Sequence, residues 1–162
     1  TLTVTVVNNA LTSEPYRIDL LCGRELSRRE IAQELIDTQA LLEGVNIRFL
    51  RPPGGCCSDG VRQIAQARGL AILNWSVDPR DWASHDASAV EAAVLKNVAD
   101  GDVILLHDMS DSSVSAALRI IDQLSAQGYR FVTASQLAAL RGCVPKAGKT
   151  YHSFPKGMDQ SK

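Results

Sequence analysis

Short apolar runs alternate with amphipathic stretches along most of this chain, and that alternation constrains the fold more than any other feature. Residues 47–50, 70–75, 103–106 and 129–132 are runs of strand length with little polar interruption. Continuous apolar character is expected of strands covered on both faces, which is the situation in parallel sheets. An additional run, residues 1–7, alternates β-branched and other residues and stops at Asn8-Asn9, which predicts an opening strand. Between these runs lie helical patterns. Ser27 and Glu30 have the spacing of a capping box. They precede Ile31, Leu35, Thr38 and Leu42 at helical intervals, and Gly44 supplies a stop. Further helices are predicted over 59–68, 87–99, 113–126 and 135–140. Strands alternating with helices specify an α/β fold with parallel strands, either a sheet or a barrel. Five strands are too few for a complete eight-stranded barrel.

The chain has 162 residues, 45% of them apolar and 22% charged, enough for one domain with a real core. This domain is assigned to residues 1–142. Residues 143–162 lack periodicity, carry Pro145, Gly148, Pro155 and Gly157, and read as a surface arm or a disordered tail. Seventeen basic residues face eighteen acidic ones for a net charge of −1, with no block of either sign. That balance excludes a nucleic-acid groove or an anionic membrane surface as the expected partner. No apolar run is long enough to cross a bilayer, and Thr1 does not open a signal peptide.

Polar groups sit where three of the apolar runs end. Arg51-Pro52-Pro53-Gly54-Gly55 follows the first, Asp78-Pro79-Arg80-Asp81-Trp82 the second, and Leu105-Leu106-His107-Asp108 closes the third. In folds that alternate strands and helices, the loops beyond the strand C-termini converge, so chemistry gathers there. A guanidinium, a carboxylate beside an indole, and an imidazole at three strand ends therefore form a candidate active site. Glu14, Asp59 and Asp78 are other carboxylates that nothing in their spacing singles out.

In this order and separation, the three segments resemble the third, fourth and fifth motifs of the polysaccharide deacetylase family, also called the NodB-homology domain or carbohydrate esterase family 4. The resemblance runs from about Ser27 to Leu140. It implies a distorted (β/α) barrel, here incomplete, and removal of acetyl groups from N-acetylglucosamine polymers or acetylated xylan. It also implies a divalent metal, zinc or cobalt, held by one Asp and two His. A polysaccharide or oligosaccharide is then the partner, and an extracellular or cell-wall location follows. By this resemblance Arg51 would hold the catalytic base, and the N–H of Gly54, beside Pro53, would support an oxyanion. Asp81 would keep His107 protonated as general acid, while Trp82 and Leu105 would wall the pocket for the acetyl methyl.

The metal-binding motifs depart from the family pattern. The first, Thr-Phe-Asp-Asp-Gly-Pro, has its counterpart in Val6-Val7-Asn8-Asn9-Ala10-Leu11, so Asn8 stands for the base and Asn9 for the metal-binding carboxylate. An amide takes no proton at neutral pH and binds divalent metal poorly. An alternative alignment sets residues 7–15 against the second motif, with Ala10 and Glu14 in place of its two histidines. The histidines present, His85, His107 and His152, include no pair four residues apart. By either alignment the Asp-His-His set cannot be assembled from this chain. Activity as a deacetylase and a catalytically impaired, glycan-binding role both remain open.

Four cysteines, Cys22, Cys56, Cys57 and Cys143, lack the C-x-x-C spacing of a zinc or redox site. In an oxidising compartment, bridges would tie the Gly55 loop to Cys22 or Cys143; in a reducing one all four would be thiols. A substitute zinc site formed by Cys56, Cys57 and His107 is a further reading.

Overall fold

The computed structural model describes residues 2–8, 27–40 and 46–158, the first segment as backbone. Asn9, Ala10, Glu14 and Cys22 lie outside the described residues. The elements are β1 (Leu2–Asn8), α1 (Arg28–Ala40), β2 (Phe49–Leu50), α2 (Asp59–Ala67), β3 (Ala71–Leu73), α3 (Asp81–Ser84), α4 (Ala87–Asn97), β4 (Val103–Leu106), α5 (Asp111–Ala126), β5 (Tyr129–Phe131), α6 (Ala134–Leu140) and β6 (Thr150–Tyr151). The predicted strands and helices are present; among the described residues their ends differ from expectation by at most two residues, with α5 and α6 starting earlier and β3 and α4 stopping sooner.

The chain divides into two compact units. In the first, β1 lies between β4 and β5 and is parallel to both, with Asn8 opposite Leu106 and Val4 opposite Phe131. β4 is buried along its whole length, as its unbroken Val-Ile-Leu-Leu run requires. One face of α5 presents Ala116, Ile120 and Leu124, which pack with Val77, Val90, Val94, Ile104 and Leu106. These positions are four and eight apart, the spacing of a single helical face. Each large aliphatic side chain buried there contributes about 1.5–3 kcal/mol relative to exposure.

In the second unit β3 pairs in parallel with β2 and β6. Ala65, Leu70 and Ile72 form its core, with Ile47, Leu50, Cys57 and Val61 against them. The first capping box follows the sequence. Ser27 Oγ accepts from Glu30 N–H, and the Glu30 carboxylate accepts from Ser27 N–H. Ser58 Oγ caps α2 by accepting from Val61 N–H at 3.3 Å.

Residues 143–158, expected as part of an arm or a disordered tail, are instead ordered structure. β6 adds an edge to β3, with Ile72 opposite Thr150 and Leu73 opposite Tyr151. Phe154 belongs to the first unit and is 0% exposed. Its N–H donates to Gly101 O at 2.8 Å. Gly101 has φ +99°, and a Cβ there would lie 2.3 Å from Phe154 O, so only glycine fits. A two-residue strand and one aromatic side chain are too brief to make a periodic signal, which is why the segment read as an arm.

Candidate active site

In the first unit, pairing between a loop and a strand builds the site. The N–H groups of Ser76 and Val77 donate to Val103 O at 3.0 and 3.1 Å, and Leu105 N–H donates to Val77 O at 2.9 Å. The segment after β3 is thereby laid along β4, and residues 78–82 reach the end of that strand. There Asp78 Oδ1 accepts from Arg80 N–H at 2.9 Å, closing an Asx turn. Arg80 adopts φ 54° and ψ 44°, left-handed values that turn the chain into α3. Asp81, the first residue of α3, is delivered inward with its side chain 0% exposed.

The Asp81 carboxylate meets His107 twice. Oδ2 accepts from His107 N–H at 2.7 Å, and Oδ1 lies 2.8 Å from His107 Nδ1. A carboxylate only accepts, so Nδ1 carries the proton of this contact and Nε2 is the nitrogen left for a ligand. One buried anion thus fixes the tautomer, the ring orientation and the strand end from which the ring projects. Leu105, two residues earlier, is buried in β4. Trp82 is 52% exposed, and the Arg80 guanidinium lies over its ring, 5.4 Å from the centroid.

The second unit holds Arg51 and the Gly54 loop. Arg51 Nε donates to Leu73 O at 3.0 Å and Nη2 to Asn74 O at 3.2 Å, so the guanidinium caps the carbonyl end of β3. Burial lowers its pKa to about 10, which leaves it charged at neutral pH. A base with a depressed folded pKa is destabilising while charged, and that cost is relieved only as pH rises through about 10. Pro52 is buried, Pro53 half-buried and Gly54 exposed. Gly54 has φ 58° and ψ 10°, left-handed values that favour glycine. Asn74 Nδ2 donates to Gly55 O at 3.0 Å and contacts Cys57 Sγ at 3.6 Å, tying that loop to β3.

Of the residues singled out in sequence, the structure therefore joins Asp81 to His107 and seats Arg51 on main-chain carbonyls. Asn8 closes β1 opposite Leu106. Asp59 is committed to an ion pair with Arg62. Sequence reasoning missed Asn74 and Arg80. The signals were present: an amide ends the apolar run at residue 74, and Asp78-Pro79 announces a tight turn before Arg80.

The cysteine readings need correction. Cys56 is disulfide-bonded, whereas Cys57 and Cys143 are free. A bridge to Cys143 is therefore excluded, and Cys56 has no thiolate to give to zinc, which removes the Cys56–Cys57–His107 set. Among the described residues no group of three or more His, Cys, Asp and Glu side chains is placed to hold a metal. His107 Nδ1 is already engaged by Asp81, and the chain has no histidine pair at the required spacing. The donors among the described residues do not fit a resident divalent ion.

No protein-family model matches the chain. It is 34% identical over 131 residues to a peptidoglycan-N-acetylglucosamine deacetylase of Bacillus cereus, an alignment covering 78% of this chain and 55% of that relative. A solved family 4 acetyl xylan esterase from Clostridium thermocellum, in complex with a cobalt ion, superimposes with a TM-score of 0.73 at 30% identity. That match covers 81% of this chain and 66% of the esterase. The chain belongs to the polysaccharide deacetylase family. Its fold class is accordingly α/β, the distorted (β/α) barrel of the NodB-homology type, here incomplete. The chain spans about half the length of that first relative. Another structure in the family, a mutant of a family 4 pseudoenzyme with restored enzymatic activity, matches with a TM-score of 0.66 at 28% identity, covering 70% of this chain and 43% of that one. Polysaccharide deacetylases thus include members both with and without activity.

Proposed function

We propose that this protein is a deacetylase-type hydrolase acting on an acetylated polysaccharide, an N-acetylglucosamine polymer or acetylated xylan, with His107 as general acid. The observation that carries the reading is the buried Asp81 carboxylate bonded to both the N–H and Nδ1 of His107. In this reading Asp81 stabilises the imidazolium, and Nε2 gives its proton to the departing amine or alkoxide. Trp82 and Leu105 shape the substrate pocket. The relatives named for peptidoglycan N-acetylglucosamine and acetyl xylan support this substrate class. We place the protein outside the cytoplasm, at the cell wall or secreted, in keeping with a polymeric substrate and the disulfide at Cys56.

A second reading, glycan binding without hydrolysis, is favoured by the donor set. With Asn8 and Asn9 at the carboxylate positions and no histidine pair, no metal-activated water is supplied by this chain. The deciding experiment measures acetate release from chito-oligosaccharides and acetylxylan, with chelator and with added zinc or cobalt, beside calorimetric binding. Release that His107→Ala abolishes supports hydrolysis. Binding without release establishes the second reading. A folded protein that neither binds nor releases overturns both.

A further inference from the structure

Helix α3 is a single turn bounded at both ends by left-handed backbone, at Arg80 (φ 54°) and His85 (φ 49°). Among the described residues no other non-glycine position has positive φ. Side chains disfavour that conformation, so it persists only where neighbouring groups impose it, and such outliers gather at functional sites. Around Arg80 the main chain shows what imposes it. Its N–H donates to Asp78 Oδ1 at 2.9 Å. Its carbonyl accepts from Ala83 N–H at 3.0 Å and from Ser84 N–H at 3.1 Å. Pro79, between Asp78 and Arg80, offers no N–H and has its φ fixed by the ring. The Arg80 side chain makes no capping hydrogen bond to α3; its guanidinium lies over the Trp82 ring. α3 is therefore hung from the peptide groups of Arg80, and these from the Asp78 carboxylate.

What the turn holds in place is one residue further on. Asp81 opens α3 with a side chain that is 0% exposed. Its carboxylate accepts from His107 N–H at 2.7 Å and meets His107 Nδ1 at 2.8 Å. Rotating Arg80 into the ordinary right-handed or extended region would redirect the start of α3 and draw that carboxylate off the ring. Asp78 is itself exposed, and its Oδ1 is turned to the main chain. Any effect it has on the imidazole therefore passes through the backbone.

We propose that Asp78 is a positioning residue for His107. By holding the Arg80 N–H it maintains the left-handed turn that sets the Asp81 carboxylate against the imidazole. This role deepens the general-acid reading of His107 above and rests on it. An imidazole N–H bonded to a buried carboxylate exchanges slowly with water and gives a separate downfield proton resonance. Proton NMR of the protein alone reads the contact without substrate, and His107→Ala assigns the signal. The wild type is expected to show it, and Asp78→Ala to lose it with the thermal midpoint lowered by no more than about 4 °C. Asp78→Asn should keep it, since an amide oxygen closes the same turn. In the Asp78→Ala background, Arg80→Gly should restore it, because glycine adopts the turn unaided, and Arg80→Ala should not. Where acetate release is detected, kcat should fall about 10–100-fold in Asp78→Ala with KM unchanged, and recover with the glycine. A signal that survives Asp78→Ala, that Arg80→Gly fails to restore, or that Arg80→Ala restores equally well overturns this inference and leaves the general-acid reading standing. A wild type without the signal overturns both.

Discussion

Two strand-end loops in this protein hold charged groups by opposite means. In the first unit a buried anion, Asp81, grips a side chain that can gain and lose a proton. In the second, a cation that stays charged at neutral pH, Arg51, is gripped by main-chain carbonyls of Leu73 and Asn74. The first arrangement ties stability to chemistry, because the same carboxylate orients the imidazole and satisfies the strand end. The second is architectural: the guanidinium closes a strand and supplies a constant field. Loss of charge should therefore be felt differently at the two ends.

The sharpest way to break this contrast is Asp81→Ala. Removing a fully buried carboxylate leaves His107 N–H and Nδ1 without their acceptor. Urea unfolding should show a loss of about 3–5 kcal/mol. Asp81→Asn keeps the shape and should cost less stability. If the protein hydrolyses, acetate release by Asp81→Asn should still drop about 10²–10⁴-fold, the usual worth of a general acid. Arg51→Met should cost about 2 kcal/mol by denaturant midpoint, since two carbonyls lose a charged donor. An unchanged midpoint would mean that the cation is not architectural.

Smaller effects refine the comparison. Asn74→Ala removes the Gly55 tether and should cost about 1 kcal/mol, with faster amide exchange expected in the Gly54 loop than around His107. Trp82→Ala, at a half-exposed site, should shift stability by less than about 0.5 kcal/mol, while weakening glycan binding in the same calorimetric assay. A large stability loss would place the indole in the core after all.

The contrast also explains what the sequence made legible. His107 and Asp81 stood out because each polar residue follows or interrupts an apolar run, and a strand end is where such a residue escapes the core. That Asp81 also binds the His107 main chain could not be read. The contact spans 26 residues and depends on the left-handed turn at Arg80. Asn74 was overlooked because a single amide at the end of a strand makes no pattern. The amides at Asn8 and Asn9 were legible by residue type, since no packing turns an amide into a carboxylate. The alternative zinc site failed for a reason that spacing does not encode, the disulfide at Cys56.

Phe154 carries a consequence for how the protein is made. The Gly101 carbonyl and the Arg141 side chain both bond it: Arg141 Nε donates to Phe154 O at 3.0 Å, and Gly101 O accepts from its N–H. Tyr151, three residues earlier, is buried in the second unit, where its hydroxyl accepts from Lys146 N–H. During synthesis from the N-terminus, each unit must wait for these late aromatic residues before its packing is complete. A ribosome stalled at Gly142 would hold two partly assembled cores, and release of the final stretch would close both.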